Sequence, residues 1–289
     1  HPHKDDKILT SWNGLMIAAM AIGGRVLNKP NYTKAAQRAL DFILANLINQ
    51  DGRLLARYRD GHAAYLAYLD DYAFLVWGLI ELYQTTFAVK YLQKAIELNR
   101  QMLDLFHDKE NGGLFLYAKD GEELIARPKE VYDGALPSGN SVAALNMLRL
   151  ARITGDFYLE EMAYNQLNAF AGMVGKNPSA HSYFLMAAIF GLHPTKEIVL
   201  AGDSRDINMQ KMFKLVHKYF LPEAVIIFKD VAAKEQLLLD QVPYIKGQDP
   251  IEGKATAYIC ENYSCQAPIS DIKEFEKNFL SSYPKKAFQ

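Results

Sequence analysis

The chain lacks most of the features that announce a function outright. Cysteine is nearly absent, with only Cys260 and Cys265 among 289 residues. Two cysteines are too few for a disulfide framework, so two reduced or buried thiols in a reducing compartment are the expectation. Their spacing gives at best half of a zinc site, and it is not the Cys-x-x-Cys of a thioredoxin centre. Charge of one sign is lacking too: 32 Lys and Arg stand against 33 Asp and Glu, a net charge of -1. That balance leaves no electrostatic footprint for nucleic acid or for an anionic membrane surface. No apolar run reaches the roughly 18–20 residues of a membrane span. No glycine-rich phosphate loop follows a strand-like run, and Asp203-Ser204 stands where one would be sought. His1 and His3 have no third or fourth ligand nearby, so neither a metal nor another cofactor is expected. The chain opens on His1-Pro2-His3 without methionine or signal peptide. It reads as a piece of a longer protein, for which a cytoplasmic location is the expectation.

What is present is apolar and periodic. Half of the residues are hydrophobic, enough for a sizeable core in one large domain or two modest ones. The chain is organised around Asp70-Asp71-Tyr72, followed by the run Ala73–Ile80. Two carboxylates precede a segment too apolar for a surface helix. They suit a helix start, where a carboxylate caps free N–H groups and meets the positive end of the dipole. The construction recurs. Thr10 or Ser11 caps a helix over about 12–27 whose Leu15–Ile22 is apolar all round. An amphipathic helix follows over about 32–48, and another over about 90–106 after the central one. Pro137–Ser141 enters the apolar run Val142–Leu148, Asp156 caps a further amphipathic helix, and His181 stands at the entry to Phe184–Phe190. Three and a half pairs therefore alternate a buried inner helix with an amphipathic outer one. The fold class is mainly α, a partial (α/α) toroid over 1–195. From 196 to 289 the texture changes to a small α/β element, with strands near 197–201, 224–228 and 257–260 and a helix over about 209–219.

In such a ring the inner helices run the same way, and their polar entries gather at one mouth. Asp5, Asp6, Trp12 and Asn13 open the first inner helix. Asp70, Asp71 and Tyr72 open the second, Ser138 and Asn140 the third, and His181 the fourth. Asp133 lies close to the third entry, and Arg127 and Lys129 offer cations to an anionic ligand. Each has a plainer reading: caps for Asp70, Asp71 and Ser138, core for Trp12 and His181, solvated charge for Asp5, Asp6, Arg127 and Lys129. Carboxylates, amides and aromatic faces suit a polyhydroxylated ligand, and two opposed carboxylates can act as acid and base or acid and nucleophile. Asp70, Asp71 and Asp6 are the catalytic candidates on this reading. Epimerisation by proton transfer would instead need a histidine pair, for which His62 and His181 are available. Pro137–Asn140 lacks the Gly-x-Ser-x-Gly elbow of an esterase.

Several stretches in order carry a resemblance: Pro2–Lys7 with Thr10–Leu15, Leu69–Ala73, Asp133–Ala135 with Pro137–Ser141, and Cys260–Pro268. Together they resemble the spermatogenesis-associated, thioredoxin-domain-containing (YyaL-like) family. The resemblance implies a C-terminal six-hairpin (α/α) barrel similar to those of glycosidases and N-acylglucosamine epimerases. It also implies an N-terminal thioredoxin-like domain and first barrel helices that this chain does not include. The expected function is a carbohydrate-active domain, hydrolase-like or epimerase-like, with a small molecule, a sugar among the candidates, as ligand. The alternative is a non-catalytic binding module serving the thioredoxin-like domain.

Overall fold

The computed structural model describes residues 5–122, 125–233, 236–261 and 264–281. His1, Pro2, His3 and Lys4 lie outside these residues, as do Asn262 and Tyr263 of the Cys260–Pro268 stretch. Two compact units are present: one holds the chain to Ala151 with Asp156–Leu192, the other Arg152–Gly155 with the chain from His193. Among the described residues, none of the helices is long and apolar enough to cross a membrane.

The first unit begins with β1 (Ile8–Leu9), then α1 (Thr10–Val26), α2 (Pro30–Asn46), β2 (Leu55–Arg59) and β3 (His62–Leu66). It continues with α3 (Leu69–Thr86), α4 (Val89–Phe106), α5 (Gly139–Thr154), α6 (Phe157–Lys176) and α7 (Ser182–Leu192). The helices follow the alternation of the sequence. α3 buries nearly every residue from Leu69 to Gln84, whereas α2 buries only a stripe around Ala36, Leu40 and Ile43. Asp156 caps α6 through the Tyr158 N–H. A small antiparallel sheet, β1-β2-β3, joins the helices; two residues of β1, and alternation as weak as His62–Leu66, carry little periodic signal.

Side-chain contacts fix the helix directions. Between α1 and α3, Ser11 meets Asp71 at the start, and Arg25 meets Glu81 near the end. Between α3 and α5, Gly139 meets Asp70, Asn146 donates to the Ala73 carbonyl, and Arg149 pairs with Glu81. Between α5 and α7, Asp133 accepts N–H groups at both helix starts, and further along Gly191 packs on Leu148, each nine residues beyond its helix start. The order ascends together in every pair, so α1, α3, α5 and α7 run parallel. α4 and α6 run back: Phe106, at the end of α4, packs on Tyr72, at the start of α3, and Phe170, late in α6, on Phe184, early in α7. The α1–α3 contact is made by glycine. A Cβ on Gly14 would stand 2.6–2.8 Å from the Phe74 and Leu75 backbone, so the two helices touch chain to chain there.

One polar cluster lies deep among these helices. Glu81 of α3 is 4% exposed and pairs with Arg25 of α1 and Arg149 of α5, both at 2.6 Å. Burial would raise its pKa, and the two guanidiniums, Arg149 first, overcome this and hold it at about 2.

The second unit has β4 (Lys196–Gly202), α8 (Ile207–Lys218), β5 (Ala224–Asp230), α9 (Gln236–Gln241), β6 (Thr256–Glu261), β7 (Ser264–Cys265) and α10 (Ile272–Ser281). The expected β-α-β unit is there, with β4 and β5 parallel, and β6 joins the other side of β4 antiparallel. The sheet order is β5-β4-β6-β7. Here one expectation is corrected. Cys260 and Cys265 are not free thiols but a disulfide. The β6–β7 register sets them directly opposite each other, a proximity that spacing alone does not specify. The argument for a reducing compartment loses its premise with them.

Candidate functional site

The parallel inner helices bring their N-termini to one side of the first unit, and the start of α3 forms the floor there. Asp71 reaches back to cap: its Oδ2 accepts the Tyr68 N–H and its Oδ1 the Ser11 N–H, both at 2.9 Å. One carboxylate thereby serves α3 and joins it to α1. Asp70, one residue earlier, turns towards α5, where its carboxylate accepts the Gly139 N–H. A Cβ at Gly139 would collide with the Asp70 carboxylate and with Leu69, so glycine is what lets the acid approach this helix start.

Between them lies a cavity of about 120 Å³, lined by Leu69, Asp70, Leu116, Glu130, Tyr132 and the segment Leu136–Asn140. Among the described residues, no lysine or arginine lines it. Burial, with repulsion from Glu130 added, raises Asp70 to about 6 against the hydrogen bond from Gly139. Asp71 is also raised to about 6, by burial in the first place, although its hydrogen bonds from Tyr68 and Ser11 oppose the shift. A carboxyl that titrates near neutrality in a cation-free recess can give up and retrieve a proton.

Three residues singled out by the sequence act on the loop that brings Glu130 and Tyr132 here. Asn140 is 1% exposed; its amide donates to the Glu130 and Leu114 carbonyls, and its Oδ1 accepts from Leu114 N–H and Gln166. His181 is buried, and its Nδ1 donates to the Val131 carbonyl at 2.8 Å. Asp133 accepts the Ser138 N–H at one oxygen and the Tyr183 and Phe184 N–H groups at the other. It caps α7 and closes the turn before α5. Ser138 is the cap of α5, its Oγ accepting the Ser141 N–H at 3.1 Å.

The remaining candidates are placed elsewhere. Asp5 pairs with Lys7 and Asp6 with Arg59, both on the surface. Trp12 is 60% exposed on α1, and Asn13 donates to the Leu9 carbonyl. Tyr72 is wholly buried; its hydroxyl donates to Gln101 at 2.5 Å and accepts from Arg53 and the Leu54 N–H. Arg127 lies over the Phe115 ring and donates to the Tyr117 carbonyl. Lys129 binds Asp108 and the Gly112 carbonyl, both within 2.8 Å. Neither cation reaches the cavity. Sequence reasoning missed Glu130 and Tyr132. The signal was a carboxylate and a tyrosine in the stretch Arg127–Asp133, which was read for its cations. Among the described residues no group of three His, Cys, Asp or Glu side chains is arranged to hold a metal ion.

No family model matches the chain. Human spermatogenesis-associated protein 20 is 32% identical over 286 residues, 96% of this chain and 36% of that protein. The rat protein of the same name is 32% identical over 285 residues. An uncharacterised protein of Caenorhabditis elegans is 28% identical over 287 residues. The chain thus spans a little over a third of the length of these relatives. Among solved structures, the GH76 α-mannanase of Bacteroides thetaiotaomicron superposes with a TM-score of 0.52 at 16% identity, covering 75% of this chain and 58% of that one. The cellobiose 2-epimerase of Bacillus thermoamylovorans gives 0.51 at 17% identity, covering 92% and 68%. At such identities the likeness is one of fold, the (α/α) barrel of glycosidases and epimerases. Over nearly its whole length, then, the chain is similar to spermatogenesis-associated protein 20, and its fold is like the (α/α) barrels of glycosidases and epimerases.

Proposed function

We propose that the recess at the start of α3 and α5 is the acid–base centre of a carbohydrate-active domain. Asp70 is its proton donor and Glu130 its second carboxylate. One observation carries this reading: two carboxylates share a recess without a cation, and one of them is raised to about 6. The enzymes that share the fold act on sugars, which supports the substrate class by analogy only. The lining adds to it. Tyr132 offers a hydroxyl and an aromatic face to a polyol, and the absence of Lys and Arg from the described lining favours a neutral sugar over a uronate or sugar phosphate. At about 120 Å³ the recess is smaller than the ~300–1,000 Å³ of sites that enclose a drug-sized ligand. It suits the end of a sugar, not a chain. Epimerisation by a histidine pair is disfavoured, because neither His62 nor His181 lines the recess.

The test is turnover of a panel of neutral mono- and oligosaccharides, followed by NMR of the anomeric protons. The expected outcome is a reaction that Asp70→Asn and Glu130→Gln abolish and whose rate falls as pH rises through about 6. The anomer formed first reports retention or inversion. Binding without turnover would favour the non-catalytic module. Absence of both, in this chain and in the whole protein with the thioredoxin-like domain that the resemblance implies, would overturn the reading.

A further inference from the structure

The cysteine pair belongs to the second unit and plays no part in the proposed acid–base chemistry. Cys260 lies buried on β6 and Cys265 exposed on β7. Three observations bear on what their bond does. It joins residues only five apart, on strands already paired, and the constraint a disulfide places on the unfolded chain is smallest for short loops. β6 is held independently by six register pairs with β4. The bond therefore adds little to the fold. Cys265 stands open to an incoming thiolate, and exposed disulfides are the labile ones. Gln248 completes the picture. Its Nε2 lies 3.7 and 3.6 Å from the two sulfurs, and its Oε1 is buried with no hydrogen-bond partner. A disulfide has no S–H to offer that oxygen, and a buried acceptor left unpaired is costly. Turned over, the Gln248 amide would present Oε1 to the sulfurs, where a thiol can donate to it and a disulfide cannot.

We propose that Cys260–Cys265 is a reversible dithiol–disulfide couple that exchanges with an external dithiol. A thiolate of that dithiol attacks Sγ of Cys265 and forms a mixed disulfide. The Cys260–Cys265 bond breaks, and Cys260 leaves as a thiolate that takes a proton from water. The second thiol of the reductant, deprotonated, then attacks its own partner sulfur in the mixed disulfide and releases Cys265. Two electrons have passed to the cysteine pair, and the reductant departs as a cyclic disulfide.

The experiment equilibrates the whole chain with dithiothreitol at graded ratios of reduced to oxidised form. It is then acid-quenched, labelled with a maleimide and weighed by mass spectrometry. The expected result is paired labelling of both cysteines without denaturant, reversal on oxidation, and an unchanged far-UV circular dichroism spectrum. Gln248→Leu should raise the ratio needed for half-reduction by about threefold to tenfold, since the reduced state loses its acceptor. With glutathione disulfide, Cys260→Ser should form a mixed disulfide faster than Cys265→Ser. Labelling that requires denaturant, or reduction that abolishes the β signal, would overturn the proposal. So would a Gln248→Leu midpoint equal to that of the parent chain.

Discussion

The two ends of α3 each hold a carboxylate at least partly out of water, and they treat it in opposite ways. At the far end Glu81 is clasped by Arg25 and Arg149 and stays ionised well below the ordinary range. At the near end Asp70 has one backbone N–H, a neighbouring Glu130 and no cation, and it rises to about 6. Burial pushes both upward. What differs is whether the surroundings supply the opposite charge, and that separates a group that joins helices from a group that can exchange protons.

The largest expected effect comes from breaking the saturated end. Arg149→Met leaves Glu81 buried with a single partner and should lower unfolding free energy by about 3–5 kcal/mol in urea titrations. Removing all three charges together with apolar residues of similar volume should cost much less. A near-equal loss in both would deny that the triad acts as a unit.

Next comes pH, where the two ends have opposite signs. Asp70 and Asp71 keep a proton in the folded state between about 4 and 6, where the unfolded chain has released it. The folded state then binds more protons, so their contribution is complete below about 4 and is lost as pH rises through about 6. Each is worth at most about 2–3 kcal/mol. Glu81 is held low, so its contribution is present above about 4.5 and lost as pH falls towards 2; Asp108, held down by Lys129, adds to that limb. Thermal melts should therefore peak between the two windows, and Asp70→Asn should flatten the upper limb alone. A melt profile in which Asp70→Asn leaves that limb unchanged would contradict the assigned environment.

A smaller change tests the division between neighbours. Asp71→Ala leaves the Ser11 and Tyr68 N–H groups without their acceptor and should cost about 1–2 kcal/mol. Whatever turnover is found should fall far less than in Asp70→Asn. Smallest of all, Asp6→Asn breaks only a surface pair with Arg59, and neither melting temperature nor turnover should change measurably.

Much of this architecture was legible before the structure. Apolar runs such as Ala73–Ile80 and Leu15–Ile22 cannot sit on a surface, and Asp156 and Ser138 are cap residues at helix entries, so the helices of the first unit and their layering followed, whereas α9 and α10 did not. Asp70 was legible because a carboxylate before a buried helix has few places to go. The division of labour between Asp70 and Asp71 was not, since it depends on which neighbouring backbone each oxygen meets. Glu130 lies in a stretch without periodicity, where local pattern says nothing of what faces inward. Asn140 and His181 stood out as polar residues at helix starts, yet they grip carbonyls ten and fifty residues away. The cysteine pair became visible only once the β6–β7 register was known. A lone Glu in the apolar stretch of an inner helix, with Arg25 in α1 and Arg149 in α5, was the unread signal for the triad.

The segment between α4 and α5 has a consequence for how such a domain can change. Two of the groups facing the recess, Glu130 and Tyr132, ride on this connection, while Asp70 and Gly139 belong to the helical frame. Carbonyls of the connection are anchored by Asn140 and His181. Loops vary more freely than the elements they join. A lineage can therefore alter the lining of the recess by rewriting a few positions between those anchors. The proton-bearing acid and the close helix contacts behind it would remain as they are.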